Sequence, residues 1–153
     1  MSLKRYKSNK KNVGQYIPRN STKYVGQYPI IVRSSWERKF CQWLDANLTV
    51  IEWSSENIAI PYYDPVMMKR RRYFPDFWMK IKNRDDSVDK YIIEIKPHKE
   101  CVPPKKGKKK PSTIRLQEAT YLTNQAKFKA ATDYCHKLGY KFKILTEREL
   151  FNK

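Results

Sequence analysis

The chain has 153 residues, 40% of them hydrophobic and 14% aromatic, with thirty-three Lys and Arg against fifteen Asp and Glu, a formal net charge of +18. That length is about one domain, which buries about 68–70% of its unfolded surface without needing a disulfide or structural metal. Charge of this size repels itself unless a polyanion is present, so nucleic acid is the expected partner. With no run of eighteen apolar residues and no signal-peptide h-region, the sequence reads as a soluble, unsecreted protein with no membrane association. Cys41, Cys101 and Cys135 are odd in number and lack a Cys-x-x-Cys pair, which argues against a disulfide framework and a zinc site.

Residues 1–24 hold seven Lys or Arg and no acid. They read as a basic, flexible arm, either a solubilising tail or a DNA contact, with Tyr6, Tyr16 and Tyr24 placed to stack on bases or to pack on the core, ahead of a single domain over 25–153. Ser34-Ser35-Trp36-Glu37 then opens an amphipathic helix with Trp36, Phe40, Trp43, Leu44 and Leu48 spaced for one face. The same four residues have the spacing of a capping box, so Glu37 is either a cap or an acid turned toward whatever the helix covers.

Residues 50–53 and 57–63 are expected as two short strands of a hairpin, followed by an Asp64-Pro65 turn. Lys69-Arg70-Arg71-Arg72 comes next, a basic run placed to hold a phosphate backbone over the acidic strand that begins just after it. In a strand over 73–81, period two puts Phe74, Asp76, Trp78 and Lys80 on one face; Pro75 makes the strand begin, bulge or lie at an edge there. A polar loop leads to a strand over 91–96, where Ile92, Glu94 and Lys96 share a face.

Ionisable groups amid apolar strand sequence need a partner or a chemical reason. The loop over 98–111 carries six lysines, among them Lys105, Lys106, Lys108, Lys109 and Lys110, and reads as mobile. A long helix begins between Leu116 and Asn124 and stops before Gly139. Leu122, Ala126, Ala130 and Leu138 mark its expected buried stripe, and Asn124, Lys127 and Ala131 follow a second line. A strand over 140–145 and a short helix over 146–151 close the chain.

An acid on an early helix, Pro75-Asp76 on a strand, a hairpin, and Glu94-Ile95-Lys96 in an apolar strand before a helix form an order more specific than any of its parts. It resembles the PD-(D/E)xK nuclease superfamily, the restriction-endonuclease-like fold. The runs Arg33-Ser-Ser-Trp-Glu-Arg, Tyr73-Phe-Pro-Asp-Phe and Asn124-Gln-Ala-Lys-Phe-Lys are similar to the head completion nucleases of T-even-type bacteriophages, and the layout is similar to the nuclease subunit of heteromeric transposases.

The resemblance implies an α/β, three-layer core with a central mixed sheet of about four strands flanked by helices. It implies a Mg²⁺-dependent (or Mn²⁺-dependent) deoxyribonuclease that acts on packaged DNA ends before heads join tails. Asp76 and Glu94 would be metal ligands, with the Ile95 carbonyl and Glu37 as further ligands and Lys96 as the catalytic lysine. Lys127 or Asn124 would face the site from the late helix. Together with Lys69–Arg72 and Lys105–Lys110, Lys127 would contact DNA. Phage head and portal proteins are the implied partners, and the host cytoplasm, with virion association, the implied location. A noncatalytic DNA clamp at the portal and a transposon or repair nuclease are the alternatives; the oligomeric state stays open.

Overall fold

A computed structural model describes residues 14–151. Strand β1 (Gly14–Tyr16) pairs antiparallel with β2 (Ile30–Val32), and a 3-10 turn over Ser21–Lys23 lies between them. Of the stretch expected as a flexible arm, residues 1–13 lie outside the described residues, whereas Gly14 to Tyr24 belong to the fold. Tyr16 and Tyr24 are buried against Trp53 and are not displayed for bases.

Helix α1 (Ser35–Ala46) is held by this segment at its C-terminal end. The Lys23 ammonium donates to the carbonyls of Leu44, Asp45 and Asn47 at 2.8, 3.1 and 2.7 Å, satisfying acceptors that a helix end leaves open. The buried Asp45 carboxylate accepts from the Tyr16 hydroxyl and the backbone N–H groups of Arg19 and Asn20. Phe40, Cys41 and Leu44 form the inward face, while Trp43 and Leu48 are exposed, contrary to the expected stripe. The chain turns out of the helix at Asn47, so Leu48 does not continue its face.

The remaining strands are β3 (Val50–Ser55), β4 (Ile60–Asp64), β5 (Lys69–Tyr73), β6 (Phe77–Lys82) and β7 (Val88–Ile95). Helix α2 (Pro111–Leu138) then crosses to β8 (Lys141–Leu145), which lies parallel to β7, and α3 (Glu147–Leu150) closes the fold. The central sheet has the order β3-β6-β7-β8 and is mixed, as expected. The hairpin expected between 50–53 and 57–63 does not form: β3 pairs with β6, and β4 pairs with β5 in a separate ribbon. The run Lys69–Arg72 is therefore strand, and Phe74 to Asp76 is a break between β5 and β6.

Two cores explain the three layers. Phe40, Cys41 and Leu44 of α1 pack with Trp53, Phe77, Met79 and Ile93 on one side of the sheet. Ala131 and Cys135 of α2 pack with Ile92 and with Ile60, Tyr62 and Tyr73 of the ribbon on the other. Neighbouring residues of β7 thus serve opposite cores, which is why Ile92 and Ile93 are both fully buried. Helix α2 starts earlier than expected, with Pro111 in its first turn, where a missing N–H does no harm. Its buried face is Asn124, Phe128, Ala131 and Cys135, and Leu122 and Leu138 are exposed, so the second line of residues faces the core. Gly139 ends the helix with φ +70°.

The ribbon is fastened to α2 through Asp64, which is 1% exposed. Its carboxylate accepts from the N–H groups of Val66 and Met67, from the Arg71 guanidinium and from the Thr123 hydroxyl of α2. Burial works to raise its pKa, but these donors together hold it below the usual carboxylate value. A depressed folded-state pKa adds stability that is present above the unfolded value of 3.8 and lost as pH falls through the folded one. Asp64→Asn should therefore flatten the fall of stability below about pH 4 and lower stability at neutral pH by about 1–3 kcal/mol; denaturant melts at pH 7 and pH 3 with unchanged parent–variant differences would contradict this.

Candidate active site

The register of β6 against β7 sets the site. Phe77 pairs with Ile93, so one step outward on each strand brings Asp76 against Glu94. Both carboxylates are buried, at 5% and 4% exposure. Each accepts from the other strand's backbone: Asp76 N–H donates to Glu94 Oε2 at 3.2 Å, and Ile95 N–H donates to Asp76 Oδ2 at 2.8 Å. The strand break at Phe74-Pro75 makes this clasp possible, because a proline has no N–H to pair and the residue after it leaves the ladder. Lys96 Nζ stands 3.6 Å from Glu94 Oε1. Lys96 N–H donates to Leu145 O at 3.0 Å, which ties the lysine to β8.

Tyr73, the last residue of β5, closes one side. Burial first, then the negative charges of Glu94 and Asp76, push its pKa up, so its hydroxyl stays protonated beside both carboxylates. The Lys127 ammonium of α2 lies 5.7 Å from the centre of the Tyr73 ring and 5.9 Å from that of Tyr62, within cation–π range. Lys127 thus stands over the ring that borders Glu94. Asn124, one turn earlier, is 4% exposed, and its Nδ2 is buried without a hydrogen-bond partner among the described residues.

Glu37 comes from the opposite layer. Ser34 Oγ accepts from the Glu37 N–H at 3.1 Å, the first half of a capping box, but Glu37 Oε2 accepts from the N–H of Arg33 at 3.0 Å. After burial, the charge of Glu37 is the next cause that pushes the Cys41 thiol pKa up, and Asp76 adds to it. Among the described residues, no three His, Cys, Asp or Glu side chains converge closely enough to hold a metal ion by themselves.

Sequence reasoning missed Glu56, at the end of β3. Its N–H donates to the Asp76 carbonyl at 3.0 Å, it holds φ +49°, and its carboxylate pairs with the Arg33 guanidinium. This brace joins the approach to α1 to the loop that carries Asp76. A glutamate in the left-handed region of the backbone has no signature in hydrophobic periodicity, so no pattern could have found it.

Two further groups of cations are exposed. Lys69, Arg70, Arg71 and Arg72 are exposed on β5. Lys105, Lys106, Lys108, Lys109 and Lys110 are exposed before α2. A groove of about 920 Å³ between His98–Lys109 and the first turns of α2 is lined by Lys99, Lys105, Lys109 and Arg148. It opens two residues beyond Lys96.

The donor set suits a hard divalent cation: two adjacent, buried carboxylates offer oxygen ligands only, and their mutual repulsion is relieved by positive charge between them. The fold is that of the PD-(D/E)xK, restriction-endonuclease-like nucleases. The family described as TnsA-like endonuclease N terminal matches residues 47–147, and the chain belongs to it. The "Head completion nuclease" of Enterobacteria phage T4 is 42% identical over 139 residues, which cover 88% of this chain and 90% of that relative. No solved structure matches the chain.

The clasp gives Glu94 a structural duty separable from any chemistry. Glu94→Ala leaves the buried Asp76 N–H without its acceptor and should lower stability by about 1–3 kcal/mol, whereas Glu94→Gln keeps an amide oxygen there and should lose less. Equal losses in thermal melts of the two variants would contradict the clasp.

Proposed function

We propose that the protein is a metal-dependent deoxyribonuclease that hydrolyses phosphodiester bonds during completion of phage heads, acting on packaged DNA ends. The observation that carries this reading is the buried Asp76–Glu94 pair with the Lys96 ammonium beside it. Asp76 and Glu94 would hold Mg²⁺ or Mn²⁺, with the Ile95 carbonyl as a further ligand and Glu37 as an outer acid that orients the surroundings. A bound divalent ion supplies Lewis acidity toward the phosphoryl oxygens and makes nearby water more acidic. Lys96 offers a positive charge where negative charge builds on the phosphoryl oxygens, and three N–H donors that can orient the attacking water.

Charge and kinship support the substrate and the setting. Net charge of +18, with exposed cations on β5 and in the loop before α2, favours a polyanion held by its backbone whatever its sequence. The name of the T4 relative supports a place in head completion. Head or portal proteins would then be partners, in the cytoplasm of the host and on the assembling particle. In the described residues no helix is long and apolar enough to cross a membrane.

Glu94→Gln and Lys96→Ala should each lower Mg²⁺-dependent nicking of plasmid DNA by about 10²–10³-fold or more. Binding measured by anisotropy should persist in both and weaken steeply with salt. Nicking at the parental rate in both variants would rule out this site assignment, and loss of binding together with nicking would favour a role in folding.

A further inference from the structure

The β4–β5 ribbon has features that the hydrolytic site does not use. Its inner face, Ile60, Tyr62 and Tyr73, is buried on α2, and the register is regular from Ile60↔Tyr73 to Asp64↔Lys69. Asp64 locks its turn, accepting from Val66, Met67 and Arg71 and from Thr123 of α2. The ribbon is therefore a rigid arm, not a loose loop. Its outward strand is a row of cations, and its tip is apolar: Val66, Met67 and Met68 are 41%, 55% and 76% exposed.

Met68 also holds φ +52°, a conformation in which glycine or asparagine is unstrained and a methionine is not. Exposure and strain at one residue both disfavour this side chain for folding alone, and such strain persists where the surroundings over-determine it. The row of cations decides the partner. A basic ribbon that ends in exposed methionines matches a duplex, whose phosphates the cations track while an apolar wedge unstacks a base step.

We propose that the β4–β5 ribbon is a DNA wedge: Arg70 and Arg72, on the face opposite buried Tyr62 and Tyr73, meet the phosphate backbone while Arg71 holds Asp64, and Met68, backed by Met67, inserts at a base step and kinks the duplex. This rests on the reading of DNA as substrate and adds its substrate class, duplex that is easily unstacked, such as ends, nicks and junctions. Five strand steps at about 3.4 Å put the tip ~17 Å along the ribbon from Tyr73, the residue that borders the carboxylate pair.

The test uses a short duplex in which every adenine is 2-aminopurine, whose fluorescence rises on unstacking, with the full chain carrying Glu94→Gln so that the DNA is not cut. Saturating protein should raise the fluorescence, and adding Met68→Gly should abolish the rise without lowering the melting temperature, since glycine relaxes the backbone there. Affinity should still fall with salt at the same slope, whereas Arg70→Gln and Arg72→Gln should each reduce that slope by about one. Bound duplex with no rise, or an equal rise with Met68→Gly, would overturn the wedge, leave the nuclease reading intact and assign the apolar tip to a protein partner. Absence of DNA binding would overturn both.

Discussion

Two carboxylates buried side by side at the ends of neighbouring strands repel each other, and much of the surrounding structure answers that repulsion. Asp76 and Glu94 each accept a backbone N–H from the other's strand, so the clasp that fixes their spacing is made of the sheet itself. Those donors are available only because Pro75 interrupts the chain between β5 and β6. Lys96 then meets Glu94 from the same strand, two residues on, and β8 holds the backbone of Lys96 through Leu145. Had the ladder continued through residue 76, the N–H of Asp76 would have gone to a carbonyl and the pair would have lost its frame.

The two-sided burial of β7 serves the same requirement. A sheet covered on both faces keeps water away from the carboxylates and lets α1 and α2 approach one point from opposite sides. Tyr73 and Lys127 stand on the α2 side, and Glu37 lies in the α1 layer with its carboxylate on the Arg33 N–H. Glu56 joins the layers at Asp76, with Arg33 as its counter-charge. The Lys69–Arg72 and Lys105–Lys110 cations lie on the outside, where hydration is retained and a phosphate backbone can be met.

The convergence of Asp76, Glu94 and Lys96 was more legible in the sequence than the packing. Pro75-Asp76 and Glu94-Ile95-Lys96 were readable because charge inside apolar strands is costly and therefore informative. The mixed four-stranded sheet was implied by the family resemblance, and its parallel part is the crossover of β7, α2 and β8. Strand partners were not readable: residues 50–53 and 57–63 looked like a hairpin, but pairing is decided by long-range burial, and β3 found β6 instead. Hydrophobicity likewise chose Leu122 and Leu138 on α2, while an asparagine, an alanine and a cysteine with Phe128 make its inward face. Small or polar residues can line a tight interface that leucines would overfill, and periodicity alone does not announce this. Glu37 stayed divided between cap and acid because one residue does part of each: its N–H completes the Ser34 cap, and its carboxylate turns to Arg33.

Whether the Asp76–Glu94 pair exists to hold a divalent cation against DNA is tested most directly by anomalous scattering from crystals soaked in Mn²⁺. A peak is expected about 2–2.6 Å from carboxylate oxygens of both residues, lost in Glu94→Ala; a peak that binds elsewhere, or a pair that stays empty at saturating Mn²⁺, would contradict that role.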